Sequence, residues 1–383
     1  MQKRIRIVSI GIILIILLIS VIILNNNTNN KHIFKKDGII YALSLDGKSI
    51  TSFPSKGLYK ANVSCEGADG RWLYDDWKLA IENITGEVSC DIKFETITKT
   101  YLNDYITSLA GTTQGTGQVV NEKGYRYEGK NPNNYVWFNN EYWRIIGVFD
   151  SASHGVSGKN LVKIIRADVL DWLVWNKLTA NDWTASSLNS LLNDVYYNAQ
   201  DGTKSRYCYG YYHTDIKAKA NCDYTKKGLQ SGYRSMIANV TWYLGGCSGP
   251  TKETAESFYE CERGTTVCSG NSTSTTGYIG LIYPSDYGYS VLSNSCARTT
   301  DLGSYSSSTC AGQSWLYGKG GEWTLLHATS VYSSVFKLGS SGNLFLDRVI
   351  LGFGVRPVLY LDASVYKIDG DGTLENPYII GMW

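Results

Sequence analysis

The feature that most restricts the fold is a charged residue inside an otherwise apolar run, the stretch ILGFGVRPVLYLD from Ile350 to Asp362. Arg356 stands near the middle of this run. A guanidinium is costly to bury unless several hydrogen-bonding or ionic partners surround it. We therefore expect a closely specified environment around Arg356. Because it lies on an apolar strand and not in an open loop, we interpret it as a structural residue.

The first thirty residues predict where the chain resides. Lys3, Arg4 and Arg6 precede an uncharged run rich in isoleucine and leucine, from Ile7 to Leu24. Such a run is just long enough to cross a bilayer, and it ends in asparagines rather than at a small-residue cleavage site. We predict an uncleaved single-pass membrane anchor, although the sequence leaves cleavage open. Because positive charge is held inside, the chain from about Lys31 onward is expected to be extracellular.

Length and charge narrow the possible partners. A chain of 383 residues is long enough for two or three folded units. Its 36 Lys and Arg against 34 Asp and Glu leave a net charge of +2, without a dense basic stripe, so nucleic acid is not expected as a partner. The 29 tyrosines and 11 tryptophans suit packed loops and binding surfaces.

The cysteines predict a disulfide framework. An exported chain with nine cysteines and no C-x-x-C pair favours disulfides over metal or thioredoxin chemistry. Cys65 and Cys90 fall on the apolar faces of two alternating strands, YKANVSC and VSCDIKF, so we predict that they pair. Local spacing predicts two further pairs, and the remaining three cysteines form one pair plus an odd thiol that the sequence does not assign. The local pairs are Cys208–Cys222 and Cys296–Cys310, and the unassigned residues are Cys247, Cys261 and Cys268.

Hydrophobic periodicity divides the chain into four segments. We predict an anchor and polar tether at 1–30, a small β-sandwich stalk at 31–98, a short helix and flexible linker at 99–123, and a larger domain at 124–383. The larger domain opens with a hairpin about Asn139–Asn140. The segment WTASSLNSLLNDVYYN predicts a helix capped by Thr184, and YRSMIANVTWYLGG predicts a second helix.

Two motifs carry a family resemblance. GGEW at Gly320–Trp323 is followed about thirty positions later by GFGVRPVLYLD. With WTASSLNSLLN and GYIGLIYPSDYGYS, they resemble the C-type-lectin-like fold of the branch shared by formylglycine-generating enzymes, bacterial surface domains and retroelement-diversified variable proteins. The resemblance spans 124–383. It implies an α+β fold class: a C-type-lectin-like domain preceded by a small all-β, sandwich-like domain and an N-terminal transmembrane helix.

The resemblance also implies residue roles. Arg356 would lie under the ligand-facing loops, with its guanidinium paired to backbone carbonyls or to a carboxylate. We interpret Trp323 and Trp143, like Arg356, as structural. In the diversified members, the segment between the two motifs displays the ligand-binding side chains on a fixed scaffold. Here the candidate ligand-binding residues are His327, Thr329, Tyr332, Ser333, Phe336, Asn343, Phe345 and Arg348.

The alternative for this segment is two strands and a loop that fill the core. In that case Val331, Val335, Leu338, Leu344 and Leu346 are core residues. Aromatic rings combined with short polar groups and an arginine nevertheless suit a binding patch, because they give contact area at little entropic cost.

Catalytic and metal motifs are weak in this sequence. A formylglycine-type oxidase needs a cysteine pair between Trp323 and Arg356, where this chain has none, and the calcium-lectin motifs occur only in the wrong order. HExxH, GxSxG and phosphate-loop patterns are absent from the sequence. The stretch DGDGTLENP could offer Asp369, Asp371 and Glu375 to calcium, but it more often forms a tight turn. We expect no metal, no cofactor and no enzymatic activity.

These observations predict a membrane-anchored extracellular display or adhesion protein that binds a protein or glycan through its C-terminal loops. Two alternatives remain. One is an extracellular oxidase or hydrolase on a formylglycine-enzyme-like scaffold, and the other is a purely structural envelope protein.

Overall fold

The structure is a computed structural model that describes residues 33–36, 38–74, 76–212, 215–219, 221–249, 253–318 and 320–382. The predicted anchor, Ile7–Leu24, lies outside these residues. Within the described part, no helix is long and apolar enough to span a membrane.

The expected α+β class is wrong, because the structure is predominantly β, with 39% strand and 14% helix, arranged as sheets and a half-barrel. The helices are short, and extended segments fill the loop-rich C-terminal half. The chain forms two compact units, one ending at Lys99 and one spanning Thr100–Met382, each with its own core.

The first unit has a five-stranded sheet and a separate hairpin. In the sheet the strand order is β1-β2-β7-β4, with β3 paired to β2, while β5 and β6 form the hairpin. Trp72 of the hairpin contacts Phe94 of the sheet edge-to-face, with 4.9 Å between ring centroids. The strands are β1 (Ile33–Lys36), β2 (Ile39–Leu45), β3 (Lys48–Ser49), β4 (Tyr59–Glu66), β5 (Asp69–Leu73), β6 (Lys78–Glu82) and β7 (Val88–Thr96).

The predicted bridge in this unit is confirmed. Strands β4 and β7 are antiparallel neighbours, and Cys65 stands directly opposite Cys90 in their register. In β7 the inward positions are buried and most of the alternate ones are exposed, which is the period of two that the sequence predicted. The bridge therefore joins adjacent strands of one sheet.

The second unit begins earlier than expected. Helix α1 (Leu102–Ser108) buries Leu102 and Ile106 completely in the core of this unit. The segment predicted to be a flexible linker instead forms two strands of the eleven-stranded sheet. Gly117–Asn121 pairs with the neighbouring strand Tyr125–Gly129, and Thr113–Gln114 pairs with Gly117–Gln118. A fragment starting at residue 124 would therefore remove part of the sheet.

An eleven-stranded sheet dominates the second unit. Its main path is β20-β25-β14-β13-β12-β27-β26-β8, and β11, β10 and β9 extend it from β13. The predicted hairpin is confirmed: β12 and β13 meet at Asn139 and Asn140, both with positive φ. The strands of this sheet are β8 (Thr100–Tyr101), β9 (Thr113–Gln114), β10 (Gly117–Asn121), β11 (Tyr125–Gly129), β12 (Tyr135–Phe138), β13 (Glu141–Phe149), β14 (Leu161–Arg166), β20 (Ile279–Gly280), β25 (Val358–Leu361), β26 (Tyr366–Asp369) and β27 (Tyr378–Gly381).

A second sheet, of five strands, has the order β15-β24-β21-β22-β23, and two small ribbons pair β16 with β17 and β18 with β19. The strands of the second sheet are β15 (Asp171–Val174), β21 (Glu322–His327), β22 (Ser334–Leu338), β23 (Leu344–Arg348) and β24 (Gly352–Val355). The ribbon strands are β16 (Tyr209–Tyr212), β17 (Asp215–Ala218), β18 (Val240–Tyr243) and β19 (Ser274–Gly277).

The apolar run that contains Arg356 connects the two sheets. Its first half is β24 of the five-stranded sheet, and its second half is β25 of the eleven-stranded sheet. Arg356 and Pro357 lie in the break between them. Proline lacks the N–H that a ladder needs, so the strand ends there.

The two longer helices predicted in this unit are wrong in extent. The first begins at Ser187 with Ser186 as its N-cap, because the Thr184 hydroxyl bonds to Asp182 instead, and it continues as a π-helical turn over Leu191–Tyr196. The second is a single turn followed by β18. The helices are α2 (Ser151–His154), α3 (Ser187–Ser190), α4 (Ser231–Arg234), α5 (Ala255–Arg263) and α6 (Pro284–Ser290), with 3-10 turns at Leu302–Ser304 and Cys310–Gln313.

Three disulfides cross-link the second unit. The predicted pairs Cys208–Cys222 and Cys296–Cys310 are confirmed. The pair that the sequence left open is Cys247–Cys261, and Cys268 is a buried free thiol.

Candidate functional site

A cavity of about 450 Å³ opens on the second unit, lined by residues from both of its larger sheets. This volume is in the range of small-molecule binding clefts. The charged side chains of the lining are two arginines and two carboxylates. Arg144, Asp168, Glu322 and Arg356 form this set, and Tyr135 and Trp315 supply aromatic rings.

Arg144 is fixed by its neighbours in the hairpin. It lies on β13, and its Nε donates a 2.8 Å hydrogen bond to Oδ1 of Asn134. Asn134 is itself fully buried and donates from Nδ2 to the carbonyl of Ile145. The Nη2 of Arg144 donates to the carbonyl of Pro132 at 3.2 Å. The guanidinium therefore has a set orientation.

The charge of Arg144 has no carboxylate partner among the described residues, and its Nη1 has no hydrogen-bond partner there. The side chain is only 8% exposed. Its guanidinium carbon lies 4.3 Å from the ring centroid of Tyr135 and 4.6 Å from that of Trp315. Burial lowers the pKa of Arg144 to about 10, and the nearby charge of Arg356 acts in the same direction. The group is still cationic at neutral pH.

Arg356, in contrast, is neutralised. Its Nε donates to Oε2 of Glu322 at 2.6 Å, and its Nη2 donates to the carbonyl of Leu316 at 2.9 Å. These are the two kinds of partner that the resemblance implied. The backbone approaches this pair closely, because a Cβ at Gly318 would lie 2.0 Å from Oε1 of Glu322.

The rim of the cavity combines apolar and acidic groups. Tyr142 and Leu374 are 37% and 45% exposed there. Asp168 is exposed, and its carboxylate has no hydrogen-bond partner in the described part of the chain. The site thus presents one open cation, one open carboxylate and exposed flat or apolar surfaces.

The predicted ligand-binding residues do not form one surface. His327 and Phe336 are buried, and the Phe336 ring contacts Phe258 edge-to-face. His327 accepts a 3.4 Å hydrogen bond from the backbone N–H of Cys268, and burial lowers its pKa to about 4. Both residues face the interior because β21 and β22 are central strands, so we remove them from the candidate ligand-contacting set.

The other six predicted residues lie nearer the surface. Thr329, Ser333, Asn343 and Phe345 are half-buried, while Tyr332 and Arg348 are exposed. Tyr332 is 53% exposed, and its carbonyl accepts from the backbone N–H of Asn181. None of the eight lines the cavity around Arg144.

The two tryptophans interpreted as structural are buried. Trp323 donates from Nε1 to the carbonyl of Leu173 at 2.9 Å, which ties β21 to β15. Trp143 precedes Arg144 on β13 and donates to Glu141 at 3.2 Å. Arg356, the third residue of this set, is buried in an ion pair and also reaches the cavity.

A second cluster of charged groups is sealed in the core. Asp286 of α6 accepts from Arg126 at 2.7 Å and also pairs with Lys163, and all three are fully buried or nearly so. Burial raises the pKa of the nearby Glu262 to about 7. Because no member of the cluster is exposed, we interpret it as structural.

The described residues contain one group of three potential metal ligands: Cys247, Glu253 and Cys261. Its two sulfurs are joined in a disulfide, which removes them as thiolate ligands. In the candidate calcium stretch, Asp371 accepts from the backbone N–H and the hydroxyl of Thr373, which is the geometry of a tight turn.

Sequence reasoning missed Arg144, although the same pattern that drew attention to Arg356 was available. Arg144 follows Trp143 and precedes Ile145 and Ile146, so it too is a charged residue inside an apolar strand. Asp168 and Trp315 carry no comparable pattern, because they reach the cavity from separate loops.

Comparisons of the chain with protein-family models, with curated proteins and with solved structures find no match. Function is therefore inferred from the geometry of the site.

Proposed function

We propose that this protein is an extracellular recognition protein and that it binds an anionic ligand in the cavity around Arg144. The observation that carries the proposal is the open charge of Arg144. A buried guanidinium is normally paired, because an uncompensated buried charge is costly. A ligand carboxylate or similar anion would supply the missing partner through charge-assisted hydrogen bonds.

The aromatic and apolar surfaces support binding rather than catalysis. Exposed rings such as Tyr142 give contact area for a flat or apolar ligand face.

The location of the protein is part of the proposal. The apolar run Ile7–Leu24 behind positive charges favours a membrane anchor with the rest of the chain outside. Four disulfides are the pattern of an oxidising compartment. A display or adhesion role follows if the bound ligand belongs to another cell or to the surrounding matrix.

A glycan array tests the function. Labelled full-length protein is applied to an array of neutral and acidic glycans beside two variants, Arg144→Gln and the control Arg71→Gln, which alters an exposed arginine of the first unit. We expect selective binding that Arg144→Gln loses and Arg71→Gln keeps. An array pattern that is unchanged with Arg144→Gln would contradict the proposal, as would the absence of selective binding to any anionic probe.

A further inference from the structure

The charges around the cavity restrict the class of ligand that it can bind. This inference rests on the proposed function. Arg356 and Glu322 neutralise each other at 2.6 Å, so the lining charges without an ion pair are the Arg144 cation and the Asp168 anion, and Asp168 also interacts electrostatically with Arg166. A ligand with one negative charge would balance Arg144. A dianion such as a phosphate monoester would bring its second charge into a site that already holds two carboxylates.

The guanidinium of Arg144 offers one fixed donor nitrogen to an anion. Its Nε and Nη2 are held by Asn134 and Pro132, which leaves Nη1 open. A carboxylate oxygen can accept a charge-assisted hydrogen bond from this nitrogen.

The carboxylate of Asp168 favours a ligand with hydroxyl donors. Asp168 is exposed and has no hydrogen-bond partner among the described residues. Ligand hydroxyls can donate to this carboxylate without adding charge, and the exposed ring of Tyr142 and the side chain of Leu374 offer surface for the apolar face of a sugar ring. The cavity volume of about 450 Å³ leaves room for a sugar residue.

We propose that the group held in this cavity is a sugar with a single carboxylate, of the uronic or sialic acid type, with its carboxylate on Arg144 and its hydroxyls toward Asp168. The sugar can be free or can form the end of a glycan chain. Free sugars and chain-terminal residues share this chemistry, and the test below separates them.

Calorimetric titration of the full-length protein tests the inference. The probes are D-glucuronic acid, N-acetylneuraminic acid, an oligosaccharide ending in each, glucose, glucose 6-phosphate and a short peptide with a free carboxyl terminus. We expect at least one acidic sugar to bind, whereas glucose, glucose 6-phosphate and the peptide bind at least tenfold more weakly. Tighter binding of the oligosaccharide than of its free sugar would assign the site to glycan ends.

Three variants test the residue roles. Arg144→Gln should weaken acidic-sugar binding about tenfold or more, since it removes a charge-assisted hydrogen bond. Arg144→Lys should lie between that variant and wild type because it keeps the charge but loses the hydrogen bonds that fix the position of the donor nitrogen. Asp168→Asn keeps a hydrogen-bond acceptor, so it should change the affinity only a few-fold. Thermal unfolding of each variant checks that the fold is intact.

Several results would overturn the inference while leaving the proposed function in place. These are tighter binding of glucose 6-phosphate or of the peptide, each lost with Arg144→Gln, whereas tighter binding of neutral sugars would contradict both the inference and the proposed anionic ligand. A loss of about a hundredfold with Asp168→Asn would indicate a ligand ammonium group rather than hydroxyls. If no probe binds and the array shows no selectivity, the proposed function fails together with the inference.

Discussion

The Nε of Arg356 donates a 2.6 Å hydrogen bond to Oε2 of Glu322, a residue 34 positions earlier in the chain. Both side chains are almost fully buried, so each depends on the other for its charge balance. The pair joins the start of β21 to the point where the chain leaves β24, and it forms one wall of the cavity.

We predict that Glu322→Gln strongly destabilises the second unit. The substitution leaves Arg356 buried without its counter-charge, and breaking a buried ion pair in this way costs about 3–5 kcal/mol in the free energy of unfolding. Urea unfolding followed by tryptophan fluorescence measures the change. The matched control is Asp215→Asn, which breaks an exposed pair with Lys217 and should change stability by less than about 1 kcal/mol. Equal effects of the two substitutions would contradict the prediction.

The buried Glu262 should make stability depend on pH. Burial raises its pKa to about 7, although the adjacent Arg263 acts to lower it. The folded state therefore binds a proton more readily than the unfolded chain does, so the contribution of Glu262 falls as pH rises from about 4.5 to 7. Two buried histidines oppose this trend: burial lowers the pKa of His154, and that of His327 to about 4, and such groups favour the folded state as pH rises.

The difference between wild type and Glu262→Gln isolates this carboxyl group. We expect the free energy of unfolding of wild type, minus that of the variant, to decrease between pH 4.5 and pH 7 in urea titrations at fixed salt. A difference that stays constant would show that Glu262 titrates normally in the folded protein.

Asp286 should make the free energy of unfolding fall as the pH falls, which is opposite to the effect of Glu262. Burial raises its pKa, but the charges of Lys163 and Arg126 outweigh burial and lower it to about 2. Its stabilising contribution is therefore present above about pH 4 and lost as the pH falls through 2. Asp286→Asn should remove this acid-dependent loss, with acid unfolding curves as the measurement. An acid midpoint identical to that of wild type would contradict the assignment.

The disulfide framework predicts one free thiol. Peptide mapping of the unreduced full-length protein should recover four bridges, with Cys268 labelled by iodoacetamide only after unfolding. Replacing Cys247 and Cys261 together by alanine should cost about 3 kcal/mol, because a loop of this length loses its constraint in the unfolded state. Cys268→Ser should cost less, since a hydroxyl can still donate to the carbonyl of Ala328. Recovery of Cys268 in a bridge would contradict the pairing.

A double variant can distinguish ligand binding by the C-terminal loop residues predicted from the sequence from ligand binding in the Arg144 cavity. Tyr332 and Arg348 are exposed and do not line the cavity. We expect the double variant Tyr332→Ala, Arg348→Ala to keep the glycan-array pattern of wild type. If this variant loses the pattern and Arg144→Gln keeps it, the C-terminal loops are the binding site.

Strand periodicity, turn residues and the cost of burying a charge predicted the parts of the fold that neighbouring residues determine. The period of two in YKANVSC and VSCDIKF predicted the Cys65–Cys90 pair, and the Asn139–Asn140 turn predicted the hairpin of β12 and β13. The cost of burying a guanidinium predicted that Arg356 would have close partners. Each of these follows from a few neighbouring residues or from one strong energetic requirement.

Long-range pairing explains what the sequence did not predict. The segment 113–121 has the glycines and polar residues of a linker, but it forms two strands, because β10 pairs with Tyr125–Gly129 and β9 pairs with β10. Two of the predicted helices are shorter in the structure, α3 and α4, because tertiary contacts outweigh a weak helical pattern. Residues of the cavity come from separate loops and strands, so the sequence does not bring them together.

The Cys247–Cys261 bridge follows the same local spacing as two other bridges. Cys247 and Cys261 are 14 positions apart, the same separation as in the two local pairs that were predicted. Applied a third time, this spacing would have resolved the pairing and left Cys268 as the odd thiol.

The first strand of the second unit, β8, pairs with β26, and β26 pairs in turn with the last strand, β27. Neighbouring strands are about 5 Å apart, so the chain enters and leaves this unit about 10 Å apart at the same edge. Residues 100–382 could therefore be spliced into a surface loop of an unrelated host, which would need only a narrow gap to accept them.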